Sequence, residues 1–434
     1  MPPRTADGRS LLLVALLFAP SRASHSAAFV GPFAPRVRSR APPPPPPPPV
    51  GGGLTHDEVR SLLRGRHALV LAGEDDAHAL HVAASLAEVG AAVIVGCERP
   101  QRAARECSRI SRACREEAAR EGGGGAPAGY AEARQLDLSC AAEVWRFAEA
   151  LLAEERPLHV VVSCADDVAP WYRPGGWEGT IGRTHLGPFL LTQLLLDRMV
   201  ATMRRDAQAY AQQCARQQTA AAGKGAERRD EPTAELHARP YPAPLGRVVT
   251  LGLKARLSPR HPNPVAGLQL QQANFTSWRA YRAAHEANLL SFLQLAKFLK
   301  AAALPSGDFV EVSVVRPGGG RWLPRPLRRL FHTHHGAALT ASFLASTPVM
   351  GMTEIYFDDF ASQPPWSKSG RSLSAASAMK ETFLASLRLS GAPPVEWQSE
   401  AALTSRGAKA RSRPRPARIR GSSLAEMGPY LQEP

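Results

Sequence analysis

The middle of the chain alternates between short, mostly apolar runs and longer stretches in which apolar residues recur at helical spacing. The runs that predict strands are residues 67–73, 91–97, 133–138, 158–163, 246–251 and 309–315. The stretches that predict helices are residues 77–89, 99–120, 141–155, 182–199 and 277–303. Strands and helices in regular alternation predict an α/β domain with a parallel sheet and right-handed crossovers.

Residues 1–56 predict an address signal instead of a folded element. Arg4 and Arg9 precede an apolar run at residues 11–18, and small residues at 26–28 suit a signal peptidase. The segment that follows begins with a phenylalanine, carries arginines but no acidic residue, and ends in a polyproline linker. It resembles the two-part presequences of algae with secondary red plastids, which predicts a plastid protein. An ordinary secretory signal stays open, and would predict secretion or the endomembrane lumen.

Composition and charge narrow the function classes. Of the 434 residues, 44% are hydrophobic, which is ordinary for a globular protein. The formal net charge is +15, and much of it lies in the terminal segments, which argues against nucleic-acid recognition by the folded part. The six cysteines have no CxxC spacing and predict reduced, buried thiols. No run after the signal is long and apolar enough to predict a stable membrane span.

The domain organisation is predicted to be simple. No internal repeat appears, so residues 57–394 are predicted to form one domain. Residues 203–244 are polar, with glutamine and alanine runs, and predict an insertion between a helix and a strand. Residues 395–434 are rich in arginine and proline and predict a basic, disordered tail.

The helix predicted over residues 277–303 carries the first candidate for chemistry. Tyr281 and His285 are four residues apart, on one face of that helix. A tyrosine serves as a general acid when a nearby positive charge lowers its pKa toward working pH, so the pair is a candidate catalytic site. The segment resembles the YxxxK motif of short-chain dehydrogenases/reductases, with histidine in place of lysine. Residues 184–196 resemble the family helix TNHLGHFLLTxLLL almost residue for residue.

The resemblance covers roughly residues 66–392 with its motifs in order, and is strongest for the retinol dehydrogenase and light-dependent protochlorophyllide reductase branch. It implies a Rossmann-type doubly wound parallel sheet of about seven strands, in a single domain with disordered ends. It also implies a nicotinamide cofactor, NADP or NAD, and a hydrophobic small-molecule substrate.

The family pattern also implies which residues of this chain would bind the cofactor. Gly73 matches the first glycine of the loop that binds pyrophosphate, and Asp137 matches the aspartate that contacts adenine. At the end of the second strand, Glu98 suits a ribose 2′-hydroxyl and Arg99 suits a 2′-phosphate, which leaves NAD and NADP both open. The remaining matches follow the fourth and sixth strands and are Ala165, Pro317 and Gly318.

Several family positions are altered in ways that disfavour the cofactor. The glycine-rich loop keeps one glycine of three and gains three carboxylates at residues 74–76, and Asp166 replaces the glycine that ends the fourth-strand motif. The resemblance aligns the family's helix asparagine with Thr184, its fifth-strand serine with Leu253 and its lysine with His285. Tyr281 alone is therefore unaltered among the four catalytic positions. Because carboxylates repel phosphate, these changes predict weak cofactor binding.

A second cluster of histidines follows the sixth predicted strand. It consists of His332, His334 and His335. Neither a cysteine nor a carboxylate stands at ligand spacing beside it, so surface or substrate-loop histidines are predicted instead of a metal site.

Two hypotheses for function remain. The altered residues favour a catalytically impaired homologue, a pseudoenzyme that keeps the fold for binding or as a scaffold for a plastid protein partner. The ancestry favours a divergent NAD(P)H-dependent oxidoreductase, with Tyr281 as proton donor, that reduces a hydrophobic carbonyl or a tetrapyrrole-like substrate. The altered family positions favour the first hypothesis, a catalytically impaired homologue.

Overall fold

A computed structural model describes the protein over residues 63–73, 77–120, 128–171, 176–222, 246–253, 264–302, 310–317, 338, 340–342, 344–345, 355–358, 361–363 and 372–393. Several sequence predictions fall outside these residues. They are the presequence 1–56, the acidic loop 74–76, the cofactor residue Gly318, the histidines at 332–335 and the tail 395–434.

Seven strands of the described sheet are parallel to their neighbours. The strands are β1 (His67–Leu71), β2 (Ala92–Cys97), β3 (Tyr130–Gln135), β4 (Val160–Ser163), β5 (Gly246–Leu251), β6 (Val310–Val315), β7 (Ile355–Asp358) and β8 (Ala361–Gln363). Their order in the sheet is β3-β2-β1-β4-β5-β6-β7-β8, and β8 alone pairs antiparallel, with β7. Because the order changes direction between β1 and β4, the sheet is doubly wound, which confirms the Rossmann-type fold predicted from the sequence.

Helices cover both faces of the sheet. They are α1 (Ala77–Glu88), α2 (Pro100–Arg120), α3 (Ala141–Ala153), α4 (Gly187–Ala222), α5 (Ser277–Ala302) and α6 (Ser372–Ser390). A short helical turn at Gly179–Ile181 and a π-helical turn at Gly182–Leu186 lead into α4. Among the described helices, none combines the length and the apolar character needed to cross a membrane.

Two apolar layers lie on opposite faces of the sheet. Leu69 and Leu71 of β1 belong to the layer formed with α3, α4, α5 and α6. Their neighbours Ala68 and Val70 belong to the layer formed with α1 and α2. Since both faces of each central strand are buried, the strands are nearly continuous apolar runs, and this is why the sequence pattern located them.

Helix α4 extends beyond the helix predicted at residues 182–199. It continues to Ala222, so the first part of the segment predicted as an insertion is helical. Asp206 on this extension accepts a hydrogen bond from Arg66 Nη1 at 3.0 Å and lies 3.1 Å from Nε2 of His159. Burial lowers the pKa of His159, while the bond to Asp206 acts in the opposite direction. These contacts fix α4 to the segments that enter β1 and β4.

A buried ion pair joins β5 and β6 near their amino ends. Arg247 Nη1 donates to Glu311 Oε2 at 2.6 Å, and the two residues are direct partners in the parallel register. Burial lowers the pKa of Arg247, and the carboxylate of Glu311 opposes that shift. The pair is therefore part of the interior of the sheet, at the end remote from the carboxyl edge of the strands.

Candidate active site

The residues predicted to bind a cofactor follow successive strands at one edge of the sheet. Gly73 follows β1, Glu98 follows β2, Asp137 follows β3, Ala165 follows β4 and Pro317 follows β6. The carboxyl ends of parallel strands meet at the same edge, and doubly wound sheets bind their ligands there. The fold therefore brings these five residues to one edge of the sheet.

Helix α5 carries the two predicted catalytic residues beside this edge. Thr276 Oγ1 accepts a hydrogen bond from Arg279 N at 3.2 Å, a cap that fixes the start of the helix at Ser277. Tyr281 is 4% exposed and His285 is fully buried. Their rings meet edge to face with centroids 4.4 Å apart, as the spacing of four residues on one helical face predicts.

Both ring nitrogens of His285 are directed at the ends of strands. Nε2 lies 3.0 Å from Oδ1 of Asp166, and both side chains are fully buried. Nδ1 lies 3.3 Å from the carbonyl oxygen of Leu251, which can only accept, so Nδ1 is the donor of that bond. The hydrogen-bonding capacity of His285 is therefore taken up by the segments that follow β4 and end β5.

A second buried polar network lies beside this pair. Asn288 Nδ2 donates to the carbonyl oxygens of Thr184 and Leu251, both at 2.8 Å. Its Oδ1 lies 2.8 Å from Nδ1 of His185, whose Nε2 lies 2.7 Å from Ser386 Oγ on α6. Burial lowers the pKa of His185 to about 4, against the opposing effect of the bond to Asn288. His185 is therefore neutral in the folded protein near pH 7, and joins α5 and α6 to the π-helical turn.

The position of the family's fifth-strand serine is occupied by Leu253. Its backbone N–H donates to the carbonyl oxygen of His285 at 3.2 Å, which holds the end of β5 against α5. A Cβ atom on Gly252 would lie 2.6 Å from Val314 Cγ1 on β6 and 3.2 Å from the carbonyl oxygen of His285 on α5, so glycine suits this position between the two elements. A leucine side chain has no hydroxyl with which to orient a carbonyl group, so Leu253 cannot replace the serine.

The predicted adenosine contacts already have donors from within the chain. Arg183 Nη2 of the π-helical turn lies 3.0 Å from Glu98 Oε2, while the neighbouring Arg99 is exposed. Asp137 Oδ1 accepts from the N–H and the hydroxyl of Ser139 at 2.8 and 2.6 Å. Each of these two carboxylates therefore stabilises the fold itself.

The carboxylate of Asp167 lies against Gly73. A Cβ atom built on Gly73 would be 2.6 Å from Oδ1 and 2.9 Å from Oδ2 of Asp167. Asp167 is buried, and its backbone N–H donates to Thr184 Oγ1 at 3.3 Å. The single glycine kept from the phosphate-binding loop thus faces a carboxylate of its own chain.

Aromatic side chains surround the start of α5. Trp278 is 48% exposed and stacks on Tyr281, with ring centroids 5.7 Å apart and an angle of 20° between the planes. Trp171 meets Phe275 edge to face at 5.3 Å. These rings make the surface at this end of the site apolar.

The sequence pattern did not predict three contacts of the site: Asp166 with His285, Arg183 with Glu98, and Asp167 with Gly73. The sequence does contain a signal for the contact of Asp166 with His285. An acid, Asp166, stands where the family pattern has glycine, and His285 stands where it has lysine, and these two side chains are the ones that lie 3.0 Å apart. The other two contacts join residues far apart in sequence, and no local pattern marks them.

Comparison with known proteins agrees with the resemblance seen in the motifs. The sequence is 38% identical over 117 residues to retinol dehydrogenase 12 of Mus musculus, covering 25% of this chain and 37% of that protein. It is 35% identical over 142 residues to the human WW domain-containing oxidoreductase, covering 31% of each chain. The matched segments thus span about a third of the length of these relatives. No protein-family model matches the sequence.

Solved structures of related shape cover more of the chain at lower identity. An uncharacterized protein from Mycobacterium paratuberculosis is 20% identical with a TM-score of 0.46, covering 77% of this chain and 98% of that one. The Pseudomonas aeruginosa RhlG/NADP active-site complex is 21% identical with a TM-score of 0.41, covering 69% and 97%.

The motifs and the sequence relatives point to one class of protein. Over the matched segments, the chain is similar to members of the short-chain dehydrogenase/reductase family. Within that family, its matches lie close to the retinol dehydrogenase branch, which also includes retinol dehydrogenase 14 of Mus musculus, 34% identical over 139 residues.

Proposed function

We propose that this chain is a catalytically impaired member of its family, a pseudoenzyme that binds a hydrophobic small molecule or a plastid protein partner. One observation carries the proposal. The nitrogens of the buried His285 are directed at Asp166 and Leu251. The family resemblance assigns two tasks to the lysine at this position, lowering the pKa of the tyrosine and binding the nicotinamide ribose. A histidine held in this way has no ring nitrogen left to bind the nicotinamide ribose.

The residues at the carboxyl edge do not fit a nicotinamide dinucleotide as they stand. NADP or NAD is the cofactor class that the fold accepts, and the RhlG structure of Pseudomonas aeruginosa is a complex with NADP. In this chain, however, Asp167 lies at the glycine that would approach the pyrophosphate, and Glu98 is bound by Arg183. We therefore expect cofactor binding to be weak, and the proposed role requires no hydride transfer.

A divergent NAD(P)H-dependent oxidoreductase is the second candidate. It is favoured by Tyr281, which remains buried beside the ring of His285, and by the retinol dehydrogenases among the relatives. The aromatic side chains around Trp278 are compatible with a hydrophobic carbonyl or a tetrapyrrole-like substrate.

Enzyme assays separate the two candidates. We expect no reduction of hydrophobic aldehydes by the wild type with NADPH or NADH, and the same lack of activity for Tyr281→Phe. We also expect dinucleotide affinity at least tenfold below that of an intact family member, because each lost charge-assisted bond to phosphate is worth about 1.5–3 kcal/mol. Calorimetry and a spectroscopic assay of NADPH oxidation measure these quantities. Wild-type turnover that disappears in Tyr281→Phe would establish the oxidoreductase instead.

We propose a plastid as the site of action, on the basis of residues 1–56. The apolar run, the small residues at 26–28 and the basic stretch without acids support this address. A fusion of residues 1–56 to a fluorescent protein, expressed in a diatom, is expected to accumulate in the plastid. The same fusion with Phe29→Ala tests whether delivery to the plastid depends on the phenylalanine that follows the small residues. Secretion of the unaltered fusion would contradict the plastid proposal and favour the secretory alternative.

A further inference from the structure

The clearest departure from a dinucleotide site lies between the ends of β1 and β4. In doubly wound folds, the turn after the first strand brings backbone N–H groups and the start of a helix to the pyrophosphate of the ligand. Here Gly73 ends the described part of that turn, and α1 begins at Ala77. The carboxylate of Asp167 reaches this turn from the segment after β4, so close that a Cβ atom on Gly73 would overlap it.

The segment that carries this carboxylate is fixed along its length. Asp166 is bound to His285, and the backbone N–H of Asp167 donates to Thr184 Oγ1. Two residues later, the N–H of Ala169 donates to Thr180 Oγ1 at 3.1 Å. Because Asp166, Asp167 and Ala169 are tied to α5 and to the turns before α4, the backbone that carries the Asp167 carboxylate is held beside Gly73.

A second internal contact lies at the neighbouring strand. The ion pair of Arg183 with Glu98 joins the π-helical turn to the end of β2, where the ribose of an adenosine group lies in doubly wound folds. Charged side chains of the chain itself therefore lie at the carboxyl ends of three neighbouring strands, β2, β1 and β4.

We infer that Asp167 is an internal substitute for the anionic group of a dinucleotide: its carboxylate takes the place of the pyrophosphate at Gly73 and keeps phosphate-bearing ligands out. The inference rests on the proposed function, since it explains how a family member folds with a closed cofactor site. It also specifies that ligands of the carboxyl edge carry no phosphate, because a phosphate placed beside Gly73 would be repelled by the negative charge of the Asp167 carboxylate.

Calorimetric titration of the full chain tests this inference. The ligands are NADPH, ADP and adenosine, and the variants are Asp167→Asn and the control Asp197→Asn, which removes the same charge from an exposed position on α4. We expect Asp167→Asn to bind NADPH and ADP at least tenfold more tightly than the wild type. Adenosine has no phosphate, so its affinity is expected to stay unchanged, and the control variant is expected to match the wild type throughout.

The outcomes distinguish this inference from the proposed function. Unchanged, weak NADPH and ADP binding by a folded Asp167→Asn variant overturns the inference and leaves the catalytic proposal intact. Low-micromolar NADPH binding by the wild type also overturns the inference, and turnover in the same sample overturns the proposed function as well. If Asp167→Asn does not fold, as judged by circular dichroism, Asp167→Ser provides the same comparison with a smaller neutral side chain.

Discussion

Replacement of Asp166 by alanine is expected to lower the free energy of unfolding by about 3 kcal/mol, because it leaves Nε2 of His285 buried without its partner. Both side chains are fully buried and 3.0 Å apart, so the variant separates the His285 nitrogen from its partner without exposing it to bulk solvent. Denaturation by urea at neutral pH measures the difference between the variant and the wild type.

A double-mutant cycle attributes this loss to the pair. The variant that carries both Asp166→Ala and His285→Ala is expected to lose less stability than the sum of the single variants, since removal of both partners leaves neither side chain buried without the other. Glu149→Ala at an exposed position of α3 is the control and is expected to change stability by less than about 0.5 kcal/mol. Additive single effects would mean that Asp166 and His285 do not interact.

Acidification is expected to destabilise the fold through His185. The folded pKa of about 4 lies below the ordinary value of 6.5, so the unfolded chain binds the proton more readily. The stability that comes from burying the neutral ring is fully present above pH 6.5 and decreases as the pH falls from 6.5 toward 4. A shift of this size corresponds to about 3 kcal/mol at the acidic end of this range.

Comparison with a variant isolates this contribution from other titrating groups. Urea unfolding of the wild type and of His185→Gln between pH 7.5 and pH 4 gives two stability profiles, and the glutamine variant cannot take up the proton. The pKa of His159 is also lowered by burial, but its contribution is common to both proteins and cancels in the difference. We expect the wild type to lose more stability than the variant, and parallel profiles would contradict the role of His185.

The fold was predictable because its signals are local. Strands buried on both faces are continuous apolar runs, and the predicted run at residues 67–73 contains the observed His67–Leu71. The helix predicted at 277–303 is observed as Ser277–Ala302. The third strand lies three residues earlier than predicted, because Tyr130 pairs with Ala92 at the start of the neighbouring strand.

Other elements needed information that a local pattern does not provide. The extension of α4 to Ala222 is rich in alanine and glutamine, which are strong helix formers. Its helix propensity therefore indicated a helix, although its polar composition led to the prediction of an insertion. The short antiparallel strand β8 depends on its pairing with β7. The identities of Tyr281 and His285 pointed to a site, but the chemistry of that site depends on Asp166, which reaches it from the segment after another strand.

The ion pair of Arg247 with Glu311 has a consequence for how the sheet finds its alignment. Around it, β4, β5 and β6 are built from repeated valines, and one valine packs much like the next. A slip of one residue between β5 and β6 would place the two charged side chains on opposite faces and leave each without its counterion. The packing of the valine side chains alone would allow several registers of these strands, whereas the ion pair forms in only one register.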